Sequence, residues 1–191
     1  MNMSRILGLV AGVLLLSGAA SAETVLVDQS LDYTYSENFY TPGEIIDHQP
    51  HYRGSWEDWS WTHDFTNLVP ENATGIDWAQ LAIKAWDVDV SEGEVDTIYA
   101  NGVRLGNLGE TGGRYWDTFY FVLPQSVVED IWKDGKVSIY IDIDTKNLGH
   151  RLTLDYSKLV VNYTLSNAVP EPATIGLLGL GGLVMLRRRY F

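Results

Sequence analysis

Five carboxylates, Asp87, Asp89, Glu92, Glu94 and Asp96, fall within ten consecutive residues of this chain. They sit where one apolar strand pattern ends and the next begins. Carboxylates packed so closely repel one another unless water or a cation neutralises them. A hard cation such as Ca²⁺ takes about six to eight oxygen ligands, often from loops. The spacing departs from the EF-hand loop, with no central glycine and no terminal glutamate in register. Two readings therefore stand side by side: a calcium site, with Ca²⁺ as the cofactor, and a solvated acidic loop.

Tyr52, Trp56, Trp59 and Trp61 form the densest aromatic group. Exposed, such rings would stack on sugars; buried, they would fill a core. On a strand Trp59 and Trp61 share one face, and Trp56 does not. His48, His51 and His63, with Asp47, offer ligands of the types zinc uses, but no HExxH motif or cysteine supports them. Asp142 and Asp144 alternate with isoleucines and are expected on the outward face of a strand. Glycoside hydrolysis needs two carboxyl groups about 5–9 Å apart across a groove. With this many acidic residues a pair can always be proposed, so none carries weight. No GxSxG elbow, dinucleotide fingerprint or phosphate loop occurs. The chain reads as a non-enzyme.

The elements that must position these residues are strands. Thr24–Val27 is a short apolar strand. Trp59, Trp61, His63 and Phe65 alternate with polar residues, the pattern of a half-buried strand. From Ile76 to Val90 strand character persists but its phase breaks, which either a β-bulge near Ala85 or two strands with a bend would reconcile. Asn101-Gly102 between Val95 and Leu108 predicts a tight hairpin. Tyr115–Leu123 follows as a strand. Ser126–Trp132 reads as a short helix, with Ser126 and Glu129 as a capping box. Val137, Ile139, Ile141 and Ile143 make the clearest strand. Leu152, Leu154 and the run Leu159–Leu165 complete the set. The fold class is all-β: a two-sheet antiparallel β-sandwich, of jelly-roll or immunoglobulin-like topology.

Both ends carry addresses. Arg5, the apolar run Ile6–Leu16 and the small triplet Ala20-Ser21-Ala22 make residues 1–22 a secretory signal peptide, cut before Glu23. At the other end, Pro170-Glu171-Pro172 precedes an apolar, glycine-rich run from Ala173 to Leu186 and then Arg187-Arg188-Arg189. That order reads as a polar hinge, a short transmembrane segment and a basic stop, with membrane contact through residues 173–189 before processing. Val169–Arg189 closely resembles the PEP-CTERM sorting signal of Gram-negative bacteria. The resemblance implies an exosortase-type sorting enzyme as partner, and a chain destined for the cell envelope or the extracellular space. It leaves the activity of the intervening domain open. Residues 169–191 are thus assigned to sorting and residues 23–168 to one β-sandwich domain.

Between the two signals lie 24 acidic and 9 basic residues, a formal charge of −15. That surface repels nucleic acid and anionic membrane. The chain has no cysteine, which excludes disulfides, thiol nucleophiles and iron–sulfur clusters. The expected function is an exported structural or binding protein of the envelope or extracellular matrix, with calcium as its expected stabilising ion. The alternatives are a carbohydrate-binding module recognising extracellular polysaccharide and a polysaccharide-active enzyme.

Overall fold

The structure, a computed structural model, describes residues 23–35, 39–40, 52–55, 57–111, 115–144 and 149–166. Asp47, His48, His51, Trp56 and both terminal signals lie outside them. The strands are β1 (Glu23–Asp32), β2 (Arg53–Gly54), β3 (Trp59–Asp64), β4 (Ala73–Trp86), β5 (Thr97–Ala100), β6 (Val103–Asn107), β7 (Asp117–Val122), β8 (Lys136–Asp142) and β9 (Arg151–Leu165). One helix, α1 (Gln125–Asp134), links β7 to β8. The first sheet has the order β1-β9-β4-β7, with β2 also on β9; the second has the order β3-β8-β5-β6. Every pairing is antiparallel. The fold is thus an all-β, two-sheet antiparallel sandwich.

The alternating strands supply its core. Val137, Ile139 and Ile141 on β8, and Ile143 just beyond it, are fully buried, facing Leu81, Ile83, Leu159 and Val161 of the other sheet. The phase break in β4 appears as a register shift between Lys84 and Ala85. The extra residue is Asp155 on β9, whose carboxylate meets Lys84 Nζ at 2.6 Å. Asn101 and Gly102 both adopt positive φ, 48° and 77°, as the predicted tight hairpin requires. The helix departs from expectation at its start. It begins at Gln125 after Pro124, so Ser126 lies inside the first turn and makes no capping bond. Gly135, at φ 69°, ends it in the left-handed conformation.

Asp144 is a further correction. The ladder of β8 stops at Asp142, and Asp144 turns inward to 3% exposure instead of sharing the solvent face with Asp142. A third correction concerns the membrane. No helix among the described residues is long and apolar enough to cross a bilayer. Residues 173–189, on which the transmembrane expectation rested, lie outside them.

One side of the sandwich is stapled by a single amide. Gln29 on β1 donates from Nε2 to the Asp64 carbonyl at 3.0 Å, and its Oε1 accepts the Asp64 N–H at 2.9 Å. This closes β1 of one sheet onto β3 of the other without a backbone ladder. Gln29→Ala is expected to lower unfolding free energy by about 1–3 kcal/mol, read by urea denaturation.

Candidate metal centre

At one end of the sandwich several connections cross between the sheets, and two of them carry the site. The first runs from β4 to β5, the second from β8 to β9. The acidic run forms the first. Asp87 takes φ 67°, a left-handed conformation that aspartate tolerates better than most residues, and this turns the chain off β4. A single 3₁₀ turn, Val90–Glu92, follows and ends at Gly93 with φ 98°. Glu94 then folds back, and its Oε2 accepts the Asp89 N–H at 2.5 Å. Asp96 enters β5, its Oδ1 accepting the Asp144 N–H at 3.2 Å.

These contacts carry two carboxylates into the interior. Glu94 is 1% exposed and Asp96 is fully buried. Among the described residues, no amide, amino or hydroxyl group donates a hydrogen bond to Glu94 Oε1 or Asp96 Oδ2. No lysine or arginine among the described residues pairs with either. Burial, then repulsion from Asp96, pushes the Glu94 carboxyl up to about 9. Burial also raises Asp96, to about 6, against the hydrogen bonds from Asp144 and Glu94 that pull it down. Two like charges cannot both persist in such a place. Either a proton sits between them or a cation does.

The surroundings suit the cation. Asp89, Glu94 and His150 each place one ligand atom within 4.8 Å of the others. Oxygens on opposite sides of one calcium ion lie up to about 5 Å apart. His150 Nδ1 stands 3.7 Å from Glu94 Oε2. This buried Asp/Glu/His cluster can coordinate a metal ion. Of the five carboxylates singled out in sequence, the fold gathers Asp89 and Glu94 at the cluster and sets Asp96 against Glu94. Glu92 is exposed, and Asp87 is not among the converging groups. From the second connection His150 brings its ring to the cluster, and Asp144 donates its backbone N–H to Asp96. Sequence spacing hid both, because they are more than forty positions from the acidic run.

The other candidates resolve differently. Tyr52, Trp59 and Trp61 are buried, at 9%, 0% and 5% exposure, so the glycan-contact expectation is corrected for them. Trp61 packs edge-on against Phe39, Tyr52 against Trp86, and the Arg53 guanidinium lies over Trp59. Their rings serve the core and leave no face for a sugar. Trp56 lies outside the described residues. His63 is fully buried, with Nδ1 3.2 Å from Gln29 Oε1 and Nε2 2.8 Å from Ser157 Oγ. An amide oxygen can only accept, so Nδ1 carries the proton and Nε2 accepts from Ser157. Both nitrogens are committed, and His63 is not available to zinc.

The PEP-CTERM protein-sorting motif matches residues 168–189. The chain is therefore an exported, cell-envelope-associated protein of the kind that an exosortase-type system sorts. No curated protein matches it. Among solved structures it is similar to dimeric latent PorU from Porphyromonas gingivalis, with 13% identity and a TM-score of 0.47. That similarity covers 77% of this chain and 14% of the other, so the chain spans about one seventh of that protein's length.

Proposed function

We propose, starting from an exported chain that carries an exosortase sorting motif, that it is a non-catalytic structural or binding protein of the envelope or extracellular matrix whose sandwich is locked by a bound calcium ion. The observation that carries this reading is the pair of buried oxygens on Glu94 and Asp96 to which no amide, amino or hydroxyl group among the described residues donates. Calcium is favoured because oxygen donors outnumber the single nitrogen, on His150, in the cluster. An ion there ties the β4–β5 connection to the β8–β9 connection and so pins one sheet to the other. The burial of Glu94 and Asp96 also argues against hydrolysis, since no substrate reaches them.

Thermal melting tests the reading. Calcium at about a hundred times its dissociation constant stabilises by about 2.7 kcal/mol, which for a domain of this size is a rise of about 5–10 °C over the same protein in EDTA. An equal rise from NaCl at matched ionic strength would instead show charge screening.

The two ends give a separate expectation. Protein recovered from the exporting cell should lack residues 1–22 by intact mass. Replacing Arg187, Arg188 and Arg189 by alanine should leave export intact and block C-terminal processing. An unchanged mature mass in that variant would remove the arginines from the sorting step.

A further inference from the structure

The outer face of the second sheet carries two parallel rows of side chains that neither the core nor the metal centre uses. Register places Ser60, Tyr140, Tyr99 and Arg104 side by side across β3, β8, β5 and β6. The two tyrosine rings lie 5.8 Å apart, inclined at 47°. Tyr140 is 38% exposed and Tyr99 half-buried. Beside this aromatic row runs a row of acceptors. Asp142 stands opposite Thr97, and Thr97 opposite Asn107. Asp58 adjoins it: its Oδ1 accepts the Ile143 N–H at 3.1 Å and its Oδ2 the Tyr140 hydroxyl. Arg104 is steadied by Asn107 Oδ1 at 2.7 Å, which also receives Thr97 Oγ1 at 3.2 Å.

We propose that this face binds a neutral polysaccharide laid across the strands, its sugar rings stacking on Tyr140 and Tyr99 and its hydroxyls donating to the carboxylates alongside. The inference rests on the reading of the chain as an exported binding protein but not on the calcium ion. Three features point to that ligand. Strands about 4.8 Å apart repeat at nearly the length of one pyranose unit, so a row across four strands spans about 14 Å, or roughly three sugars. The tyrosines are pre-positioned: Asp58 fixes one phenol, and the two rings restrain each other, which lowers the ordering cost of binding. The acceptor row suits hydroxyl donors, while Asp58 and Asp142 on a domain of formal charge −15 repel a polyanion.

Affinity electrophoresis of the purified full chain tests this, in gels containing hydroxyethyl cellulose, galactomannan, xyloglucan or alginate. Retardation is expected in at least one neutral gel and not in alginate. The double variant Tyr99→Ala/Tyr140→Ala should weaken that retardation about tenfold or more. Tyr120→Ala, at an exposed tyrosine of the other sheet, should not change it. Unchanged melting of the double variant in calcium would show that the loss is local; a lowered melt is met by Tyr99→Leu/Tyr140→Leu, which keeps bulk but not the ring faces and should bind as weakly. Migration unaffected by all three neutral polymers, retardation by alginate alone, or full binding by both double variants would overturn the proposal. The calcium melt and the sorting masses stand or fall independently of these outcomes.

Discussion

Glu94→Gln is expected to stabilise the protein in EDTA and to abolish its response to calcium. In the cation-free state Glu94 must hold a proton or face Asp96 as a second buried anion. Glutamine has the same shape. Its oxygen keeps the Asp89 N–H bond, and its N–H₂ offers Asp96 Oδ2 the donor it lacks. At pH 8 in EDTA this should raise unfolding free energy by about 1–3 kcal/mol, the usual penalty of an unsatisfied buried polar group. In saturating calcium the order reverses, because wild type gains the binding free energy and the variant does not. A crossing of the two stabilities between EDTA and calcium is hard to obtain without an ion at this carboxylate. Parallel shifts in wild type and variant would locate any calcium effect elsewhere.

Acid is expected to unfold the domain partly through His63. Burial holds this imidazole at about 3, against 6.5 when exposed. Above 6.5 it is neutral both folded and unfolded, and its stability contribution is complete. Below 6.5 the unfolded chain takes up a proton that the folded one refuses, so stability falls as pH drops toward 3. The slope is about 1.4 kcal/mol per pH unit, or about 2 kcal/mol between pH 6.5 and 5. The carboxylates of the metal centre act in the opposite sense without a cation. Their raised values in the folded state mean that stability is lost as pH climbs through them. Comparing wild type with His63→Gln by urea denaturation at each pH cancels that contribution. The variant should be less stable at pH 7, where it loses a fitted, doubly bonded ring, and show a flatter dependence below 6.5. Equal slopes would mean that His63 is protonated in the folded state.

Much of the sandwich was legible because its strands obey a period of two. Val137 to Ile143 announced β8, Asn101-Gly102 announced the hairpin, and the phase break at Ala85 announced the bulge. Each is a local rule, and each needs only neighbours in sequence. What local rules could not supply was which ends meet. The five carboxylates looked like one site because they are adjacent, yet backbone geometry sends Glu92 to solvent and draws Glu94 and Asp96 inward. Asp144 followed the outward phase of its strand by pattern. It points inward because the ladder ends before it and its N–H is taken by Asp96. The tryptophans illustrate the same limit. Trp59 and Trp61 do share a face, as their spacing requires, but only the packed sheets decide that the face is the inner one. The tyrosine pair has no signature in the sequence, since Tyr99 and Tyr140 become neighbours only through the β5–β8 register.

Isothermal titration of the EDTA-stripped protein with CaCl₂ tests the cation lock most directly. A saturable isotherm with one ion per chain is expected, lost in Glu94→Gln and in Asp96→Asn and undiminished by added NaCl at moderate strength. Titration heat indistinguishable from buffer, with both variants behaving as wild type, would contradict it and leave Glu94 and Asp96 as a proton-sharing pair.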